Sequence, residues 1–379
     1  MVSRLVLALI ALTIGYACLE HGGVTSREWG FCLLSIAVCG LSLPGRSQSP
    51  PLHPVLLAAL ALCPLIVGLQ IVAFSVAPSI TFAHLERLLA YLVVFFVARS
   101  MTVRGWWLAA PVILVGTLEA VLGLAQFFSG MGRAYGTYVN PNHFAALLNM
   151  SLPFAAMGAV RAMRRRTGEL ELPASRVALS CLLMACAAAI LLGTLFSLSR
   201  MGLATMLACG AIAGWLAFSR GRLRMVAALI PLAVLAVVLL TAPGALADRF
   251  TVTPEARLQF WRETLRLIAA YPALGCGLGT YASAIQTYRN SAPLMLLDFA
   301  HNDYLQLIAE LGIVGFIPFA LAGAWIFVQP WRRSRHRSLA IACAASLSAI
   351  ALESAVDFDF YIPANMLVAA WVAGVGFRE

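Results

Sequence analysis

Apolar runs of about twenty residues recur almost end to end through this chain, and they constrain its fold more than any motif does. A helix needs about 20 residues to cross the ~30 Å hydrocarbon layer of a bilayer. Runs of that order lie near residues 4–19, 29–43, 55–77, 81–98, 106–129, 143–160, 177–196, 201–219, 223–242, 302–328, 338–356 and 360–377. Lipid offers no partner to backbone N–H and C=O groups, so only helices or closed barrels span it. The runs lack the period-two alternation of barrel strands, which leaves helices. The expectation is an all-α integral membrane protein with about twelve transmembrane helices, a single polytopic domain over residues 1–379. Composition agrees, since 61% of the residues are hydrophobic and only 11% are charged, too few charges for an ordinary soluble surface.

Orientation follows from the cations. All 26 basic residues are arginine, and a cytoplasmic N-terminus puts 17 of them on inner loops and ends, including Arg161, Arg164, Arg165, Arg166, Arg332, Arg333 and Arg378. The positive-inside rule then predicts both termini in the cytoplasm. The one long polar stretch, residues 243–300, falls on the outer side. The net charge of +10 is thus a topology signal, and with no basic soluble face no nucleic-acid partner is expected. Arg4 and the short apolar core after it resemble a signal peptide, but eleven further runs favour an uncleaved first span. The nine cysteines lie mostly in or beside apolar runs without a Cys-x-x-Cys pair, so neither a disulfide framework nor a thiolate metal site is expected.

The polar islands on the outer side carry what chemistry the chain has. In the long loop, Thr253 reads as an N-cap and Pro254 as the first helical residue of an amphipathic interfacial helix reaching Tyr271. Its stripe of Leu258, Trp261, Leu265 and Ile268 is expected to lie on lipid, with Arg257, Arg262 and Arg266 at phosphate height. The Gly275-Cys276-Gly277-Leu278-Gly279 stretch has no preceding strand and reads as a bend rather than a nucleotide loop. The loop ends in Ala300-His301-Asn302-Asp303, where His301 stands at the start of an apolar helix. A second island, Gly130 to His143, holds Asn140-Pro141-Asn142-His143 at a turn into the sixth run. Asn142 is a candidate helix cap there, and Asn140, Asn142, His143, Asn302 and Asp303 are candidate pocket residues for a sugar or phosphate. In a third, Ser199-Arg200-x-Gly202, two runs with almost no loop between them hold a guanidinium fork at the surface, suited to phosphate oxygens. Glu119 lies near the middle of the fifth run and requires a partner inside the bundle or a proton. His84, Glu86 and Arg87 read as interfacial anchors.

Together these residues resemble the O-antigen ligase family of polytopic bacterial glycosyltransferases. The resemblance rests on His301-Asn302 followed by nine residues and Gly312, with Gly315 beyond, and on Ser199-Arg200-x-Gly202 and Arg257-x-x-x-Trp261. It covers most of the chain and is strongest from Arg200 to Gly315. It implies transfer of a glycan from a polyprenyl-diphosphate donor to an acceptor hydroxyl at the outer face of the membrane. By position, His301 corresponds to the family's essential histidine, and Arg200 and Arg257 to its diphosphate-contacting arginines. Lipid A core is the acceptor the resemblance implies first. A growing polysaccharide or a protein side chain, for a polymerase or a protein O-oligosaccharyltransferase, stays open.

Elementary chemistry is compatible with this. A diphosphate is already a good leaving group, so arginines that spread its charge and a neutral histidine that takes the hydroxyl proton suffice without cofactor or metal. Two rivals remain. Glu353, Asp357 and Asp359 cluster near the end of the eleventh run, where Asp357-x-Asp359 offers oxygen ligands to Mg²⁺ or Mn²⁺, although acids there are more often solvated or paired with outer arginines. A transporter or flippase is the other, disfavoured because the polarity concentrates outside rather than at mid-membrane and no internal repeat is visible.

Overall fold

The computed structural model describes residues 2–23, 26–42, 51–103, 105–164, 171–218, 254–290, 297–334 and 337–378, with Met225 and Leu229. The described residues are helical or irregular, with no strand among them. The helices are α1 (Val2–Leu19), α2 (Ser26–Leu41), α3 (Pro54–Ala73), α4 (Pro78–Ser100), α5 (Ala110–Gln126), α6 (Pro141–Met163), α7 (Ala174–Phe196), α8 (Arg200–Ala217), α9 (Pro254–Ala270), α10 (Tyr281–Ile285), α11 (Asp303–Arg333), α12 (Ser338–Glu353) and α13 (Pro363–Arg378). Eight described helices are long and apolar enough to cross a membrane. Three more expected spans appear as α2, α12 and α13, each of 16 residues. Apart from Met225 and Leu229, the span expected at 223–242 lies outside the described residues, as do the stretch 243–253 and the Thr253 cap. The protein is an all-helical, multi-pass membrane protein; of the twelve spans expected, the structure supports eight by length and composition.

Burial explains the short helices. A 16-residue helix is ~24 Å long, less than the hydrocarbon thickness, but α12 and α13 are buried on all sides from Leu339 to Ile350 and from Leu367 to Phe377. Residues 143–151 of α6 are likewise all buried. These three helices form the centre, where apolarity all round is what packing demands. Helices α1, α3, α5 and α7 surround it and expose Leu12, Leu65, Leu118 and Leu182, as a lipid-facing surface does.

One helix is broken. Within α11, Gly312 has φ 66 and ψ 176, a region essentially confined to glycine. The backbone groups freed there are satisfied by residues 272–277, which run alongside: Ile313 N–H donates to Pro272 O (2.8 Å), Val314 N–H to Ala273 O (3.1 Å), Cys276 N–H to Ala309 O (3.1 Å) and Gly277 N–H to Glu310 O (3.0 Å). From α3, the buried Gln70 side chain donates to Leu274 O (2.5 Å) and Glu310 O (2.7 Å) and accepts from Leu278 N–H (3.1 Å). The glycine-rich bend is therefore real, and its task is to complete a discontinuous membrane helix.

The amphipathic helix of the long loop forms as α9, but a different face is covered. Phe260, Glu263, Thr264 and Leu267 are buried, whereas Leu258 and Leu265 stay half exposed. The helix packs on α11 and α10, so one side of the helix is used by protein and part of the expected stripe is left outward. His84 and Arg87 are not peripheral anchors either. They sit beyond the first turn of α4, with His84 packed against Gly279 and 6.2 Å from the Tyr361 ring, and with Arg87 over Trp29. Glu119 does find its partner: Thr137 donates from its hydroxyl (2.7 Å) and its backbone N–H (3.0 Å).

Candidate functional site

The α12–α13 connection, residues 354–362, is the hub of one end of the bundle. Its sequence alternates carboxylates and aromatics, Asp357-Phe358-Asp359-Phe360-Tyr361, and Pro363 then starts the next helix. Around it the structure gathers residues from four separate sequence islands.

His301 comes from the turn before α11. Its backbone is left-handed, φ 50, a conformation that costs a non-glycine residue ~1–2 kcal/mol. That strain sets the imidazole toward the hub. Its Nδ1 lies 3.5 Å from Asp357 Oδ1, close enough for charge pairing though longer than a good hydrogen bond. The ring is flanked by Phe358 at 5.2 Å and Phe260 at 6.2 Å. Asn302, expected in the pocket wall, is instead the N-cap of α11 and accepts from Leu305 N–H (3.1 Å). Asp303 is fully buried, and its Oδ2 accepts from Phe360 N–H (2.8 Å).

The Asn140–His143 island meets the other side of the hub. Asn140, not Asn142, caps α6, accepting from Asn142 N–H (2.9 Å). This frees the Asn142 amide to donate to Asp357 Oδ2 (2.9 Å). His143 pairs with Asp359 at 2.9 Å, and Asn365 donates to the same oxygen (3.0 Å). The carboxylates expected to be solvated or paired with arginines are thus buried and held by histidines and amides. Burial alone would raise the Asp357 carboxyl, but His301 and the positive charge of His143 bring it down to about 2. Asp359 is pushed up by burial, which His143 only partly offsets. Among the described residues, no three His, Cys, Asp or Glu side chains are disposed to hold a metal ion.

Arg200 is the first residue of α8, and its turn is rigid for identifiable reasons. Ser199 caps the helix by accepting from Gly202 N–H (3.0 Å), and Arg133 Nε–H donates to Ser197 O (2.8 Å) across the turn. A Cβ on Gly202 would collide with Ala145 of α6, so the glycine of Ser-Arg-x-Gly permits close helix approach. Asn149 then donates to both Gly202 O (2.8 Å) and Glu353 Oε1 (3.0 Å). Ser354 O accepts from Asp303 N–H (2.9 Å). Asn149, Glu353 and Ser354 therefore link the Arg200 helix to the start of the His301 helix. Arg257 is one turn before Phe260, the residue whose ring flanks His301. Its Nε and the Trp261 Nε1 are buried and have no protein partner among the described residues. Donors of this kind are available to a further hydrogen-bond acceptor.

Beside the hub opens an apolar cavity of about 770 Å³ between α4, α11, α12 and α13. His84, Arg87, Tyr304, Phe360 and Tyr361 stand at one end, and Phe316, Phe319, Leu347 and Ala373 line its depth. Sequence reasoning missed this cavity, the Asp357 partner of His301, and Arg133 and Asn149, because each depends on contacts between distant segments. The alternation in Asp-Phe-Asp-Phe is the available signal, and by itself it suggests solvated or arginine-paired acids, with a metal site as the rival. No curated protein matches the chain. Residues 182–320, which include Arg200, Arg257, His301 and Gly312, match the model of the O-antigen ligase family.

Proposed function

We propose that the protein is a glycosyltransferase that moves a glycan from a polyprenyl-diphosphate donor to an acceptor hydroxyl at the periplasmic face of a bacterial inner membrane, with lipid A core as acceptor. One observation carries this reading: a single loop, residues 357–361, bears the carboxylate facing His301 and also walls the apolar cavity. Proton-transfer chemistry and room for a hydrocarbon chain meet there. The 770 Å³ cavity is within the size range of pockets that bury a whole small ligand. The family match supports an enzyme of this class.

In this mechanism the His301 Nδ1–H faces Asp357 and Nε2 takes the proton of the acceptor hydroxyl. The acceptor oxygen attacks the anomeric carbon as the bond to the diphosphate oxygen breaks. The electron pair leaves with the diphosphate, whose charge Arg200 and Arg257 spread. The products are an inverted glycoside and polyprenyl diphosphate. Asp357, ionised down to about pH 2, stabilises the imidazolium formed on the way, as a carboxylate does for a histidine base. The proton then passes to water, and no metal enters the scheme.

Arg200→Ala and Arg257→Ala are each expected to weaken binding of the polyprenyl-diphosphate donor by about 10–100-fold, since a hydrogen bond to a charged group contributes ~1.5–3 kcal/mol. Lysine at either site should recover only part, lacking the bidentate fork. Titration of purified protein with labelled donor measures this, and wild-type affinity in both alanine variants would remove the clamp. The orientation has its own check. A reporter fused near the exposed Ser283 should behave as periplasmic, and cytoplasmic behaviour would overturn the site assignment. Deleting the gene in its host reads out the acceptor: lipid-linked polymer accumulating while lipid A core stays bare is the expected result, and single repeats left on the core would mean a polymerase.

A further inference from the structure

Glu310 lies in α11 between the His301 turn and the Gly312 break, is fully buried, and has no part in the mechanism above. Both of its oxygens accept hydrogen bonds, three from other segments and one from the preceding turn of α11. Oε2 accepts from Gly279 N–H (2.7 Å) and from the Tyr361 hydroxyl (2.6 Å). Oε1 accepts from Tyr281 N–H (3.1 Å) and from the Gln306 amide (3.3 Å). The donors come from three parts of the site. Gly279 and Tyr281 stand at the end of the bend that completes the broken helix and just after it, and Tyr361 ends the loop that carries Asp357. Gln306 accepts from Ala300 N–H (2.9 Å), immediately before the strained His301. One carboxyl group thus ties the segment bearing His301 to the segment bearing its carboxylate. A buried carboxyl in an apolar bundle is costly, and an apolar residue would fill the same space without needing four donors.

We infer that Glu310 is a positioning residue for the His301–Asp357 pair, an inference that rests on reading that pair as the base. The 3.5 Å separation leaves little latitude, because a displacement of about 1 Å in a reacting group costs about 10²-fold in rate. Glu310→Gln keeps the shape but turns an amide N–H₂ toward one pair of donors, so that either the Gly279 contact or the Tyr281 and Gln306 contacts are lost. Tyr361→Phe removes one tether and leaves the helix break intact.

The test uses full-length protein in detergent and single-turnover transfer from a labelled polyprenyl-diphosphate glycan. Glu310→Gln is expected to lower the transfer rate by about 10²-fold, and Tyr361→Phe by less, with donor affinity held in both. Amide hydrogen exchange at Ala300 to Asn302 should rise in both variants, a readout independent of activity. Because Glu310 acts through His301, Glu310→Gln should add no further loss in a His301→Ala background. An equal fold-loss in both backgrounds, or unchanged rate and exchange in both single variants, would overturn the positioning role alone. Full activity of His301→Ala itself would instead remove the base assignment, and this role with it.

Discussion

Replacing His301 by alanine is expected to lower glycan transfer by about 10²–10⁴-fold, the usual cost of removing a positioned general base, while the protein still folds and still binds its donor. The barrier rises by about 3–5 kcal/mol on that scale. Folding should survive because the side chain is not a cap. Asn302 holds the α11 terminus, and the turn itself is anchored by Ala300 and Asp303. His301 pays left-handed strain, φ 50, that alanine would share and that asparagine tolerates better. His301→Asn is therefore the sharper variant, keeping the turn while removing the base. Both should be inactive and both should bind labelled donor with wild-type affinity. Transfer by the wild type should persist in EDTA. Activity lost in chelator and restored by Mg²⁺ or Mn²⁺ would move the chemistry to Asp357 and Asp359, and a fully active His301→Asn would remove the base assignment.

Gly312→Ala is expected to be strongly destabilising, because the added methyl meets both a forbidden backbone conformation and a neighbouring backbone segment. The residue occupies φ 66, ψ 176, where a side chain costs ~1–3 kcal/mol. Its Cβ would collide with the carbonyl of Ala273, and overpacking of this kind adds ~1–3 kcal/mol. The sum, about 2–6 kcal/mol, is comparable to the whole ~5–15 kcal/mol margin of a folded domain. The obstacle is backbone, so no rotamer can yield. Gly68→Ala, in the middle of α3 with nothing near its Cβ, is the matched control and should be neutral or slightly stabilising. Thermal melts of the two purified variants decide the matter; a Gly312→Ala protein that melts as high as Gly68→Ala would show that the break is not rigid. The glycine that ends the His-Asn motif is on this account a requirement of the backbone crossing.

Different parts of this molecule were legible in the sequence to different depths. Helices were, because about twenty apolar residues in lipid have few alternatives; residues 4–19, 55–77 and 143–160 correspond to α1, α3 and α6. The short α12 and α13 were read only as spans, since nothing local distinguishes a buried helix from a lipid-exposed one. Arg200, Arg257 and His301 stand out in the sequence by residue type at a membrane edge and by motif spacing, and are proposed on that ground. Their surroundings do not. Asn142 was read as a cap because an asparagine follows proline, whereas the asparagine before the proline does the capping and Asn142 reaches Asp357, 215 positions away. The carboxylates were read as solvated because charges near a membrane edge usually are. That they are buried depends on His143, Asn149 and Asn365, and no local pattern announces pairs between helices.

The contacts of Gln70 carry a consequence for how the protein is made. Its amide reaches Leu274, 204 positions later, and Glu310, 240 positions later. α3 is synthesised long before either carbonyl exists, so these bonds form only after α11 arrives with a gap in its ladder that it cannot close alone. Insertion of the spans and completion of the protein are therefore separate events. Closure around Gln70 joins an early part of the chain to a late one, and it is expected to be a late step in assembly.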